Sequence, residues 1–392
     1  METLIELYGD RALENILGPE VFKPKRIVYL CPPEIAADKG KQDILRNFFA
    51  HRSFRPEIIF LESSLYDADR VRKQLKLTAG QYGDCVIDIT GGTDAIMFAA
   101  GMFCMDTGTP AFTYSRRQNT FFDISNAPFA DNVVCQVNYT VEDFFRMVGG
   151  RGRPGRIEKK VLSRYMDVYD DFFALYLKHR KSWSDDILYL QHISQGANDD
   201  DVSLRVRGNF SIKIQHGYRL LANPRLLRGL EKIGFIRELV IDGDKTVSFV
   251  FTDEQMRGWL RDVGSVLELY VYKVCVDIGI FGDVVNSVIV DWDGTNGQGS
   301  VSNEIDVVAV RNVKPLFISC KACEIKTTAI NELAVIKERF GGKGAKAAIV
   351  TTEHCTAAAR HRAQQLGIAI IDIEELERGN LGNRLKILMK AK

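Results

Sequence analysis

Between residues 26 and 140 the sequence alternates short β-rich apolar runs with amphipathic stretches of helical length, and this alternation leaves few folds open. Arg26-Ile-Val-Tyr-Leu-Cys reads as a strand, followed by Pro32-Pro33 and a helical stretch near 38–51. Glu57-Ile-Ile-Phe-Leu is a second strand and 67–78 a second helix; Asp84-Cys-Val-Ile-Asp-Ile-Thr is a third strand, running into a helix over 91–104. Pro110-Ala-Phe-Thr-Tyr and Asn132-Val-Val-Cys-Gln-Val extend the sheet. Strands separated by helices of about 10–15 residues require crossover connections and hence a mostly parallel sheet. The expectation is a Rossmann-like α/β domain over residues 1–148.

The chain has 392 residues, more than one ordinary core accommodates. Gly149-Gly-Arg-Gly-Arg-Pro-Gly-Arg is the sharpest break, and its glycines and arginines predict a loop or linker. Beyond it, 156–179 reads as a long helix, 223–236 as a helix ending at a glycine, and 237–251 as two strands around Asp242-Gly-Asp. Helix followed by hairpin resembles a winged helix. Residues 149–260 are therefore expected to be a linker and a winged-helix-like connector. From 261 to 392 the order is helix (265–278), strands (285–292, 304–310, 316–320), helix (327–340), strand (347–351), helix (356–366) and a closing strand from Ile368. This predicts a second, independent α/β domain.

Lys and Arg nearly balance Asp and Glu, giving a net charge of +1, so no global basic field advertises nucleic-acid binding; a local patch can still act in a neutral protein. The start of the chain lacks the basic and apolar regions of a signal peptide. No apolar run reaches about 18 residues, which argues against a membrane span. Eight scattered cysteines fit a reduced, cytoplasmic protein. Cys320 and Cys323 form a CxxC with no second pair at zinc-ribbon spacing, which argues against zinc.

Two regions carry chemistry. In Asp88-Ile-Thr-Gly-Gly-Thr-Asp-Ala a strand ends, Gly91 and Gly92 permit a tight turn, and a helix begins with free amides, a geometry that binds anions. Thr90 and Thr93 add hydroxyls, although Thr93 or Asp94 can equally cap the helix. Both GxxxxGK[ST] and GxGxxG are absent, which argues against an ATPase loop and against NAD. Two other strand ends share that edge of a parallel sheet, bringing Cys31 and Pro32 from one and Ser115 and Arg116 from the other.

The second region holds acids at strand spacing. Glu268 lies on a largely apolar helix. Glu304 and Asp306 are two apart on a strand and share a face, as do Ser319 and Lys321 on the next strand. Carboxylates gathered this way hold Mg²⁺ or Mn²⁺ through oxygen. The metal activates water and offsets phosphate charge, and a lysine stabilises the attacking hydroxide or the pentacovalent state.

This layout resembles the PD-(D/E)xK restriction-endonuclease-like superfamily. With Thr90-Gly-Gly-Thr, Leu267-Glu-Leu-Tyr, Asn303-Glu-Ile-Asp, Ile318-Ser-Cys-Lys and Glu338-Arg-Phe-Gly-Gly, the whole chain is similar to type III CRISPR-associated nucleases of the Can/Card kind. These join a CARF sensor of cyclic oligoadenylate to such a nuclease domain. The resemblance implies cyclic tetra-adenylate as activator, bound between two sensor domains of a homodimer, with Thr90–Thr93 and Arg116 facing the cleft. It implies Glu268, Glu304, Asp306, Ser319 and Lys321 as the catalytic set, with Glu268, Asp306 and Ser319 on the metal and DNA or RNA as substrate. The superfamily's second acid falls at Ser319, where a hydroxyl replaces a carboxylate, and Glu324 is a candidate substitute. Two alternatives follow: a ligand-controlled DNA-binding regulator with an inactive nuclease domain, or a ring nuclease that degrades its own cyclic activator.

Overall fold

The computed structural model describes residues 1–64, 66–154, 158–194, 204–214, 217–291 and 302–390. Its first sheet comprises β1 (Thr3–Leu7), β2 (Arg26–Cys31), β3 (Glu57–Glu62), β4 (Cys85–Asp88), β5 (Ala111–Ser115), β6 (Thr120–Ser125) and β7 (Val133–Val134). The strand order is β3-β2-β1-β4-β5-β6-β7. The pairs from β3 to β5 are parallel, while β6 and β7 return antiparallel. The mostly parallel sheet is as expected, but β1 and β6 were not read as strands, and of 132–137 only Val133–Val134 pairs.

Helices α1 (Leu17–Phe22), α2 (Pro33–Ala36), α3 (Lys39–His51), α4 (Ala68–Tyr82), α5 (Asp94–Thr107) and α6 (Val141–Met147) complete this part. The Asp38 and Asp67 carboxylates accept the N–H groups of Lys41 and Arg70, each at 3.1 Å, and so fix the starts of α3 and α4. Because β1 is followed by β2 on one side while β4 lies on the other, the sheet's switch point falls between the C-terminal ends of β1 and β4.

Residues 149–156 are not simply a linker. Arg151–Pro154 form β8, which pairs antiparallel with the edge strand of the second large sheet; Gly155 and Arg156 lie outside the described residues. A neighbouring strand satisfies a backbone whatever its side chains, and Pro154 is tolerated at an edge. The middle segment then runs α7 (Lys159–Leu162), α8 (Met166–His179), α9 (Trp183–Ser194), β9 (Arg205–Asn209), β10 (Ser211–Lys213), β11 (Arg219–Leu221), α10 (Pro224–Lys232), β12 (Ile236–Asp242), β13 (Thr246–Phe251) and α11 (Glu254–Trp259). The expected helix and hairpin are α10 and β12–β13; β9 adds a third strand beside β13, and β10–β11 form a separate ribbon. This is the winged-helix-like order.

The C-terminal part contains α12 (Ser265–Asp277), β14 (Asp283–Asp291), β15 (Ser302–Arg311), β16 (Lys314–Lys321), α13 (Thr327–Gly341), β17 (Lys346–Thr351), α14 (Ala357–Gln365), β18 (Ala369–Ile371), α15 (Ile373–Glu377) and α16 (Leu381–Met389). Trp292, expected to end β14, lies outside the described residues. The sheet order is β18-β17-β16-β15-β14-β8.

The expected independence of this domain is corrected by its packing. One core joins Phe172, Trp183 and Phe235 of the middle segment to Leu267, Leu316 and Ile318. A second joins Tyr29, Phe48 and Phe145 of the first part to Phe317, Phe340 and Ile349. Both faces of the C-terminal sheet are thus covered by other parts of the chain, and each buried phenylalanine contributes roughly 1.5–3 kcal/mol. The tightest point is Gly341, at the end of α13. A Cβ there would lie 2.3 Å from the Ala345 Cβ and 3.0 Å from the Phe317 ring. Gly341→Ala is expected to lower stability by about 1–3 kcal/mol, measured as a lower urea midpoint at unchanged m-value.

Candidate functional site

The strand ladder builds the acidic cluster. Val307 pairs with Ile318, so Asp306 and Ser319 are the next residues across the β15–β16 pair. The Asp306 Oδ2 accepts the Ser319 hydroxyl at 3.2 Å and the Cys320 N–H at 2.5 Å, and Lys321 Nζ lies 3.8 Å away. Glu268 enters from the first turn of α12. Its carboxyl is pushed up to about 8, first by burial and then by Asp306, Asp262 and Glu304, with Lys321 opposing. The Asp306 carboxyl is also raised by burial, against the pull of Lys321 and the two hydrogen bonds. Glu268, Asp306, Ser319 and Lys321 are therefore brought together as expected, and Glu304 lies within electrostatic reach at the exposed end of β15.

Two supporting residues escaped the sequence reading. The Asn286 amide donates to the Asp306 carbonyl at 3.2 Å, and the Ser287 hydroxyl donates to Glu304. Ser287 stands opposite Asp306 with φ 52°, a left-handed conformation in mid-strand. Strain of this kind concentrates at functional sites. A polar Asn-Ser pair breaking an apolar strand was the available signal. Glu324 is exposed after β16 with no partner among the described residues.

The donor set is oxygen only, because the Cys320 thiol is buried and its pKa raised. Repulsion from Asp306 and Glu304 destabilises Glu268 as an anion, a penalty that a cation relieves. Among the described residues no three His, Cys, Asp or Glu groups converge closely enough to share an ion. Glu268, Asp306 and Ser319 fit a hard divalent cation whose shell is completed by water and substrate oxygens.

At the C-terminal edge of the first sheet the Thr90 hydroxyl accepts the Tyr114 N–H at 2.9 Å, and the Thr90 N–H donates to the Asp88 Oδ1 at 2.8 Å. Thr93 caps α5 through the Ile96 N–H at 3.4 Å. A Cβ at Gly91 would lie 2.4 Å from the Leu7 carbonyl, and Gly92 adopts φ 91°, so both positions require glycine. The loop after β1 therefore packs backbone to backbone on the loop after β4. Beneath them Glu6 and Asp88 are both fully buried; burial raises Glu6 well above its ordinary range and Asp88 to about 7.

The remaining predicted residues separate. The Cys31 side chain is withdrawn from the edge: it is fully buried and directed at the Leu61 carbonyl, with its pKa pushed up to about 12. Pro32 N-caps α2, and the Ser115 hydroxyl accepts the Gln118 N–H within a turn. Arg116 pairs with Glu14 at 3.3 Å. It lines a cavity of about 560 Å³ with Tyr8, Asp10, Arg11, Glu338 and Arg339, between the first part of the chain and α13. Thr90–Thr93 do not line that cavity. Tyr8–Arg11 were missed because β1 was missed: buried Glu6 disguises its apolar pattern.

Residues 254–389 match the family model described as the Card1-like endonuclease domain. No curated protein matches the sequence. Among solved structures, protein VC1899 from Vibrio cholerae superposes with a TM-score of 0.76 at 17% identity, covering 100% of this chain and 98% of that one. Can2 from Sulfobacillus thermosulfidooxidans, in complex with cyclic tetra-adenylate, superposes with a TM-score of 0.70 at 18% identity, covering 99% and 97%. A type III CRISPR defence DNA nuclease activated by cyclic oligoadenylate gives 0.51 at 15% identity, covering 96% of this chain and 51% of that one. The C-terminal third thus matches a Card1-like endonuclease domain by sequence, and the whole chain has the fold of Can2 and VC1899. No helix among the described residues is long and apolar enough to cross a membrane.

Folding raises the Glu268 pKa, so its contribution to stability is fully present below the ordinary glutamate range and is lost as pH rises towards 8. Urea denaturation in EDTA is expected to show Glu268→Gln matching the wild type at pH 4 and exceeding it at pH 9 by about 1–3 kcal/mol, after allowance for solvent screening.

Proposed function

We propose that this protein is a metal-dependent nuclease switched on by cyclic tetra-adenylate in type III CRISPR antiviral defence, acting on DNA, RNA or both. The observation that carries the reading is the convergence of Glu268, Asp306, Ser319 and Lys321 within the segment that matches an endonuclease family. Glu268, Asp306 and Ser319 would hold Mn²⁺ or Mg²⁺, which supplies a Lewis acid and an activated water when bound. The Ser319 hydroxyl and the Cys320 N–H orient Asp306. Lys321 offsets the carboxylate charge and is placed to stabilise charge developing on a phosphate.

The ligand in the Can2 complex supports the choice of activator. On this chain its phosphates would meet the glycine turn and the N-terminus of α5, an anion-binding combination, while Arg116 faces the separate cavity beside α13. A two-fold ligand fits a two-fold dimer. Phe98, Met102 and Met105 support that arrangement: they lie four and three residues apart on α5 with exposures of 64%, 36% and 81%, an apolar stripe suited to a second copy. Ligand binding would couple to the nuclease through the core that Phe317 and Phe340 share with the sensor.

The test is cleavage of plasmid, single-stranded DNA and RNA with Mn²⁺, with and without cyclic tetra-adenylate. Cutting is expected only with the ligand; equal rates in both conditions overturn the allosteric reading, and ligand loss without cutting favours a ring nuclease. Asp306→Ala or Lys321→Ala is expected to lower cleavage at least 100-fold while leaving ligand affinity within about twofold. Thr90→Ala with Thr93→Ala is expected to remove activation and spare the metal site. Normal cutting by both nuclease variants would refute the site.

A further inference from the structure

Residues 204–251 of the middle segment carry nine Lys and Arg against four Asp and Glu, a net of +5 in a chain whose total is +1. Five of the nine basic residues lie on two adjoining features. On α10, Leu226, Leu227 and Leu230 are buried, while Arg225, Arg228 and Lys232, spaced three and four apart, line the exposed face. Glu231, the acid beside them, is turned away and accepts the Leu239 N–H of β12 at 3.0 Å.

The ribbon β10–β11 is the second feature. Lys213 and Arg219 are directly opposite each other across it, and both are exposed. Like charges in that position cost folding free energy. Among the described residues no carboxylate forms an ion pair with either of them, or with Arg225, Arg228 or Lys232. Only Ala222 and Asn223 separate β11 from α10, and the Ala222 N–H donates to the Phe210 carbonyl at the base of the ribbon.

A cationic helix face beside a cationic two-stranded ribbon is matched by a regular polyanion, and the B-DNA major groove admits either element. We propose that this module binds the phosphate backbone of duplex DNA. Because the module shares one core with Leu267, Leu316 and Ile318, DNA held there is fixed relative to the Glu268–Lys321 cluster. That role as a substrate-holding surface rests on the nuclease reading; the binding itself does not.

The test uses the full-length protein in EDTA, with fluorescence anisotropy of a labelled 24-base-pair DNA duplex, the same single strand, and a duplex RNA. Arg225→Gln with Arg228→Gln is expected to weaken duplex DNA binding about tenfold or more and to flatten the salt slope by about 2. Lys213→Glu is expected to weaken binding several-fold with an unchanged or higher Tm, because a carboxylate opposite Arg219 removes the repulsion. Unchanged affinity and slope in both variants, or equal affinity of the wild type for the single strand or the RNA, overturns the proposal. If variant-sensitive duplex binding accompanies no cutting with Mn²⁺ and cyclic tetra-adenylate, the surface stands and the nuclease reading falls. If plasmid cutting persists while affinity ignores the variants, the surface falls and the nuclease reading stands.

Discussion

Two-sided burial of the C-terminal sheet is the constraint on which the rest of the structure depends, and β16 is where it is concentrated. Leu316 and Ile318 enter the core shared with the middle segment, while Phe317 enters the core shared with the first part of the chain. Strand periodicity makes this division unavoidable once the sheet is covered on both faces. Two steps further, the same strand delivers Ser319 and Lys321 to Asp306. A shift of β16 relative to β15 would therefore disturb both cores and the acidic cluster at once. A physical route therefore runs from the first part to β16: α13 ends against β16 at Gly341 and continues into the wall of the cavity that also holds Arg116.

The molecule keeps unfavourable electrostatics at three places. Glu268 faces Asp306 and Glu304, Glu6 faces Asp88, and Lys213 faces Arg219. Each costs stability in the free protein. The first and third lie where ligands of opposite charge are proposed to bind, so the same repulsion that weakens the fold strengthens binding. The Glu6–Asp88 pair differs. It is sealed beneath the glycine turn, and Asp88 already serves to hold Thr90.

The middle segment and the first part of the chain both pack on the C-terminal domain. The middle segment contributes aromatic side chains such as Phe173, stacked on Tyr270 of α12 at 3.9 Å. The first part contributes an apolar contact in which Phe145 meets the Phe340 ring edge to face, with centroids 5.0 Å apart, beside a cavity lined by both polar and apolar side chains.

What the sequence determined by itself was local: periodicity set the strands β2 to β5 and β14 to β18, and spacing put Asp306 and Lys321 on facing strands. These features depend on residues within one or two turns of each other, so composition and order suffice. Tertiary structure decided the rest. Glu6 sits in β1, at the centre of the sheet, although a buried acid contradicts the strand's apolar pattern. Arg151–Pro154 became a strand because β14 offered an unpaired edge, a partner more than 130 residues away. The turn at Thr90–Thr93 was legible, but that Arg116 would pair with Glu14 and face α13 was not. Nor was the fusion of three expected domains into two shared cores, because burial of one face against another depends on where distant segments pack, and no local pattern encodes that.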